Sequence, residues 1–488
     1  MQRRLSFLLF ACLVQFSLFS QESLGIHLDN FSGINSTNIN PAGYAFTPYG
    51  WDINLIGGSS FFENNYAYIK PARLGDMLRN PDNMVVYFGP DITNENQVPK
   101  GEYFVDFYQK DQPRYAALSN SLMGPSFYIR LNPNHSIGLV TRARMMGNGN
   151  GVSNTLSYYE YDPQPFFEDF TVDPFHLGIM GWSEIGLNYS YRTETNNGMM
   201  AFGLTAKYLD GYEAAYWTND NPFQLTKLPG DSLSGSALDF TYGYTNSNIA
   251  NDNYSLQSNG RGMSVDLGFV YAQTDGDDGY QWKLGVSVLD IGSIKFDRNA
   301  KAHRVQTDEL SIVGTEVYQN IQSAEDFEDK MRVFSEQMLG DPNTSLVADQ
   351  FNMWLPTALS VQFDVALAKH LYLGSALVQS IPIGAEGVRR KSILAVSPRY
   401  EAKWFGASMP ISFYNWQSLR TGLALRLAFL TIGTDNLGSL VRRKDLSGYD
   451  LYFAIKVNPF GFGKGDENGG GGFRGGGRKG KQLPCYQF

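Results

Sequence analysis

Cysteine is almost missing from the 488 residues: Cys12 and Cys485 are the only two. Cys12 lies in an apolar N-terminal stretch, so a chain that has lost this stretch keeps one thiol and cannot form an internal disulfide. Histidine is nearly as scarce, with only His27, His135, His176, His303 and His370. No H-E-x-x-H, C-x-x-C or G-x-S-x-G pattern occurs, which removes common signatures of zinc hydrolases, redox dithiols and serine nucleophiles. His303, in a stretch rich in Asp and Glu, is the best single catalytic candidate, and a lone loop histidine is ordinarily a solvated one. The run Asp275, Asp277 and Asp278 reads as turn chemistry rather than a calcium loop. The expectation is a chain that is not an enzyme and that holds no cofactor or metal.

Long apolar runs are missing as well. Past residue 20 no segment approaches the ~20 residues a spanning helix needs, and the mean hydropathy of −0.27 is too polar for a helical membrane protein. The start of the chain, MQRRLSFLLFACLVQFSLFSQ, has Arg3 and Arg4, an apolar core from Leu5 to Phe19, then Ser20 and Gln21. This reads as a secretory signal over residues 1–21, and because the apolar core runs past Cys12, lipidation there is disfavoured. Its loss removes two of the 39 basic residues and none of the 48 acidic ones, leaving 37 against 48, or −11. Such a balance suits neither nucleic acid nor a polybasic membrane anchor.

Aromatic residues and glycine are abundant: 29 Tyr, 33 Phe and 51 Gly fit many strands, turns and aromatic girdles. The stretch 449–458, YDLYFAIKVN, alternates without a break and is long enough to cross a bilayer as a tilted strand. Further strands are expected at 51–69, 124–132, 136–146, 183–192, 199–216, 263–273, 281–296, 356–367, 371–381, 392–403, 408–415, 420–428 and 430–437. Two of these boundaries follow from parity, because a single-chain barrel with short turns at one end and long loops at the other needs alternating connections. The fold class is therefore all-β: one transmembrane outer-membrane barrel of about 14 antiparallel strands over residues 51–460, with long extracellular loops carrying short helices. All seven tryptophans fall at or beside an expected strand end, where an amphipathic ring meets the headgroup layer.

Ahead of that wall, residues 22–50, rich in Asn, Ser and Gly and without strand alternation, read as an ordered or semi-ordered lead-in segment. Residues 461–488, GFGKGDENGGGGFRGGGRKGKQLPCYQF, form a flexible Gly-rich tail. Both termini are expected on the periplasmic side. In the long loops, 323–339 pairs Ser323 with Asp326 in a capping-box-like start and spaces Phe327, Met331, Phe334 and Met338 along one helical face. A shorter helix is expected at 72–79.

Alternation turns a set of charges inward. The cations are Arg130, Arg142, Arg144, Arg192, Lys207, Lys283, Arg399, Lys403, Arg426 and Lys456, and the carboxylates are Asp52, Glu184, Asp266, Asp364, Glu401 and Asp450. The plain reading is a hydrated interior in which opposite charges pair across strands. A sharper one is an electropositive passage for anions, which the mixture of signs weakens.

The segment Asn38-Ile39-Asn40-Pro41-Ala42-Gly43, ahead of the first strand, resembles the start of the FadL-like fatty-acid-transporter barrels and the related PorV- and PorP-like outer-membrane proteins of Bacteroidota. The segments VLDIGSI at 288–294 and LAFLTIGTDNL at 427–437 resemble the PorV-like group. That resemblance implies a barrel of about 14 strands in the cell outer membrane, with the N-terminal segment folded into the lumen. It implies either passage or binding of a small hydrophobic molecule, or a scaffold role in an envelope or protein-secretion machine, with protein partners held by the outer loops and the tail. Outer-membrane lipid is the expected surround in both cases.

Overall fold

The computed structural model describes residues 22–72, 74–75, 86–87, 103–108, 112–157, 165–230, 232–249, 254–274, 279–308, 311–314, 318, 321–441 and 444–459. The signal expected over residues 1–21, the expected tail with Cys485, the aspartates at 275, 277 and 278, and most of the helix expected at 72–79 lie outside them. Ala72 itself is strand.

Fourteen antiparallel staves form one closed wall. In chain order they are Trp51–Asn64, Arg114–Met123 continued by Ser126–Arg130, His135–Val152, His176–Thr195, Gly198–Thr218, Gly260–Thr274 and Tyr280–Phe296. Then come Phe351–Trp354 continued by Ala358–Ala368, Leu371–Ser380, Ile393–Glu401, Phe405–Ser408 with Ile411–Tyr414, Ser418–Thr421 with Leu423–Leu427, Leu430–Thr434, and Gly448–Val457. Each pairs with the next, and the last closes on the first from Ile53 opposite Val457 to Glu63 opposite Gly448. These staves answer the fourteen expected strands one for one.

Alternation sorts the two faces. Along His176–Thr195, Ile185 and Leu187 are exposed while Glu184, Asn188 and Ser190 are buried; along Ala358–Ala368, Phe363 and Leu367 are exposed while Ser360 and Asp364 are buried. An outward band of Ile, Leu, Phe and Met all round the wall matches hydrocarbon rather than water, and the closed ring leaves no strand edge for lipid to meet. No helix among the described residues is long and apolar enough to cross a membrane.

Some expected boundaries shift. The second stave begins at Arg114, within the expected loop, because Arg114–Met123 is largely buried on both faces and so shows no alternation. The fourth begins at His176, which moves Trp182 from an end to mid-stave. There it points inward, 1% exposed, with its ring 4.7 Å from the Arg144 guanidinium; it is a lumen residue and not a girdle one. Lys403 falls in the turn after Glu401 and is exposed rather than inward.

The long loops carry more strand than expected. One four-stranded sheet joins Asp169–Val172, Phe223–Leu228, Ser232–Ser236 and Ser311–Gly314; another joins Ala67–Ala72, Val86–Tyr87, Tyr103–Phe107 and Lys444–Leu446. An antiparallel pair of strands, Leu238–Thr245 and Ala300–Thr307, extends the wall beyond the fifth stave. The helix Ala324–Leu339 starts where the sequence places it, with Ser323 accepting the Asp326 N–H at 3.0 Å. Its Phe334 and Met338 pack on the apolar cluster of Phe240 and Val305. His303 is not a solvated loop residue: it stacks on Tyr242 at 4.7 Å, bonds the Ser345 hydroxyl at 3.0 Å, and burial lowers it to about 4.

Candidate functional site: the filled lumen

Residues 22–50 lie inside the ring of staves, and their polar groups reach opposite walls. Leu24 N–H donates to Asp435 beside the thirteenth stave, Asn30 N–H meets Glu401 on the tenth, and Ile34 N–H donates to Asp52 on the first. The short helix Leu24–His27 and two 3-10 turns, Gly33–Asn38 and Gly43–Phe46, let a 29-residue stretch satisfy much of its backbone within itself.

The Asn40-Pro41-Ala42-Gly43 motif has a physical role in this seating. The Asn40 carbonyl oxygen of the side chain accepts Ala42 N–H at 2.9 Å, closing a local turn, while its amide donates to Phe269 O at 3.1 Å and Gln362 at 3.0 Å. Pro41 lies flat on the wall because Gly203 and Gly268 stand opposite each other in neighbouring staves. A Cβ at Gly203 would fall 2.4 Å from the Pro41 backbone, and one at Gly268 2.3 Å from Asn40 Oδ1. Alanine at either position would push the motif off its floor.

The inward charges divide into two groups. The first is centred on Asp290, whose carboxylate meets Arg144 at 2.9 Å, Lys207 at 2.8 Å and Arg390 at 3.0 Å. Asp266 bonds Lys207 at 2.6 Å, and Glu184 bonds Arg142 at 2.6 Å. Neither Asp290 nor Arg390 is legible as a lumen residue from alternation. Asp290 sits at φ 57 in a bulge where Val265 faces Ile291 but Leu267 faces Val288. The extra residue reverses facing at that point and turns Asp290 inward. Arg390 comes from the loop between Ser380 and Ile393, which folds back into the barrel so that Gly387 O accepts from His176 at 2.8 Å.

The second group ties the wall to residues 22–50. Arg426 bonds Asp29 at 2.8 Å and lies over the Phe31 ring; Lys456 donates to the carbonyls of Phe31 and Ser32 and stands 3.6 Å from Asp52. Lys283 bonds Asn30 at 2.6 Å and lies 3.5 Å from Asp364. Arg399 joins Asp364 and Glu401, each at 2.7 Å. Arg130 and Arg192, partly exposed at the short-turn end, bond the carbonyls of Ala45 and Thr47 and of Ala45 respectively. Asp450 accepts Asp435 N–H at 3.0 Å.

Apolar anchoring adds to this: Tyr44 stacks on Tyr128 at 4.5 Å, and Ile34, Tyr44 and Leu24 are fully buried. Within the segment, burial raises the Glu22 carboxyl and pushes His27 down to about 3. Burial would raise Asp29 too, but Arg426, the Phe31 N–H and Lys456 hold it below the usual carboxylate range. Cavities lie beside the segment. One of about 70 Å³ combines apolar Leu28, Ile39, Phe46 and Val270 with Asn30, Lys283, Gln362 and Asp364. Another, about 50 Å³, lies farther toward the long loops and is mainly polar. His27 lines both. Among the described residues, no group of three or more His, Cys, Asp or Glu has metal-holding geometry.

Fold and lumen together define a fourteen-stranded transmembrane β-barrel whose interior is occupied by its own N-terminal segment and one inward loop. The chain belongs to the family of unknown function DUF5723, whose model matches residues 45–435. No curated protein matches the chain significantly. Among solved structures it is similar to the toluene transporter TodX of Pseudomonas putida, with 10% identity over 90% of this chain and 98% of that one, TM-score 0.40. It is also similar to the toluene transporter TbuX of Ralstonia pickettii, with 11% identity over 88% and 94%, TM-score 0.38. A FadL homologue of Pseudomonas aeruginosa is 8% identical over 86% and 90%, TM-score 0.28.

Proposed function

We propose that this protein is an outer-membrane barrel that gives a small molecule a gated passage or binding site, with residues 22–50 as the gate. The observation that carries the reading is that one short N-terminal segment and one inward loop join the wall's side chains in filling the lumen. The 70 Å³ cavity beside the segment is smaller than the ~150 Å³ that admits a benzene ring. A molecule of that size therefore passes only when the segment shifts. The apolar lining from Leu28, Ile39, Phe46 and Val270 favours a hydrophobic cargo or moiety. In this reading both termini are periplasmic, the long loops face outward, and the chain performs no covalent chemistry.

The test is removal of residues 22–50 behind an intact export signal, followed by liposome swelling and single-channel conductance. The expected result is a rise in permeability of about tenfold or more over the intact chain. A folded deletion variant no more permeable than the intact protein would sink the passage.

The second reading, a scaffold subunit of an envelope or secretion machine, is favoured by the two sheets and the 16-residue helix at the long-loop end, where Phe167, Ile312 and Val347 are exposed. Stable co-purification of envelope proteins with the tagged barrel from its native membrane, lost when those side chains become Ser, would support it.

A further inference from the structure

The cavity of about 50 Å³ has a chemistry unlike its neighbour. It is lined by Arg142, Arg144 and Arg390, by the hydroxyl-bearing Ser59, Ser119 and Ser121, and by Glu22 and Asn35 of the N-terminal segment. Its volume is room for roughly three to five waters, the size of a carboxylate or phosphate group.

Two buried groups in this lining are incompletely used. Arg390 is 7% exposed; its Nη2 bonds Asp290 at 3.0 Å, its Nη1 stands 3.4 Å from Glu22, and its Nε–H has no acceptor. Glu22 is 3% exposed, and its Oε1 is the oxygen of that 3.4 Å ion pair, a contact without hydrogen-bond geometry. A guanidinium presents five donors in a fixed fork suited to a two-oxygen acceptor. Leaving the Nε donor without an acceptor and the facing carboxylate oxygen with only a long ion pair is costly in a low-dielectric interior.

The charge count around the cavity points the same way. Arg142, Arg144, Lys207 and Arg390 face Glu184, Asp266, Asp290 and Glu22. Glu184, Asp266 and Asp290 are held by short bonds from wall cations, whereas Glu22 is held by the one 3.4 Å contact. Without Glu22 the group is four cations to three carboxylates. An external oxyanion would then restore neutrality.

We propose that this cavity is a binding site for a small oxyanion, a carboxylate or phosphate group, which takes the Arg390 guanidinium in place of Glu22 and is completed by Arg142 and the hydroxyls of Ser119 and Ser121. Glu22 is thus an internal competitor, and occupation of the site releases the first residues of the segment from the wall. The site is independent of whether the barrel conducts, so it stands or falls apart from the passage.

The experiment uses the intact barrel in detergent, titrated calorimetrically with inorganic phosphate and with sodium acetate, and with sodium chloride at matched ionic strength as the reference. Saturable binding of phosphate or acetate beyond the chloride baseline is expected, and which of the two binds tighter identifies the headgroup. Arg390→Gln should weaken Kd by about tenfold, the loss of a charge-assisted bond. Glu22→Gln should tighten it several-fold, an outcome a merely structural Glu22 would not give. If Arg390→Gln does not fold, the Glu22→Gln titration decides alone. No binding beyond chloride, or a Kd that Glu22→Gln leaves unchanged or weakens, overturns the proposal.

Discussion

The lumen holds two ionic groups that differ in what they connect. The Asp290 group lies mostly within the wall: its bonds run between the third, fourth, fifth, sixth and seventh staves and the inward loop, and the N-terminal segment adds Glu22 and the Asn38 side chain, which accepts from Arg142 at 2.7 Å. The Arg426 group is open, since Arg426, Lys456 and Lys283 complete their bonding on Asp29, on the Phe31 and Ser32 carbonyls and on Asn30 of the segment. The first group stiffens the wall whether or not the lumen is filled. The second is satisfied only with the segment in place. A buried charge stripped of its partner is strongly destabilising, so the wall itself favours a seated segment, and water entering the lumen is what makes release affordable.

Substitutions can break this distinction. The largest effect belongs to Asp290→Asn, which leaves Arg144, Lys207 and Arg390 around a neutral amide. A loss of about 3–5 kcal/mol in barrel stability is expected, read as a lower heat-modifiability midpoint in detergent. Arg426→Gln should cost less, about 1–3 kcal/mol, and should act on the segment: faster proteolysis within residues 22–50 and more frequent conductance openings, with the wall's unfolding midpoint nearly unchanged. Equal midpoint shifts in the two variants would erase the distinction between wall-stiffening and segment-holding charges.

Just below neutrality the smallest effect comes from pH. His27 is buried neutral between the two cavities, its pKa lowered from 6.5 to about 3. The released segment therefore binds more protons than the seated one between those values. Seating is fully favoured above pH 6.5 and weakens as pH falls toward 3, by at most about 1.4 kcal/mol per pH unit. Protease sensitivity of the segment should rise across that window in the intact chain and rise less in His27→Gln. Asp29, whose pKa is lowered, adds a loss in the same direction only at lower pH, as it falls through its folded value.

Much of the wall was readable before folding. Segments such as 263–273 and 356–367 alternate cleanly because one face meets hydrocarbon and the other a polar lumen, and the parity of long and short connections then fixed the count. Reading failed where a residue is buried on both sides or where the pleat is interrupted. Arg114–Met123 shows no alternation and so looks like loop, and Trp182 looks like an end residue because alternation marks its stave only from residue 183, seven residues after its start at His176. Most of the inward charges follow from alternation, and the structure gives each a partner. The Asp290 centre does not follow, since a bulge reverses the very parity on which the inference depends. Arg390 could not be found at all by strand period, because it lies in a loop.

What the sequence determined by itself is local: which backbone segments are pleated, which side of the pleat each residue faces, and where Ser323 starts a helix, because these depend on neighbours within a few positions. What only the tertiary structure decided is partnership. Register and closure bring Asp290 to three cations from distant parts of the chain, set Gly203 against Gly268 as a floor for Pro41, and lead residues 22–50 back through the ring. Those meetings are fixed by long-range geometry, and no local pattern encodes them.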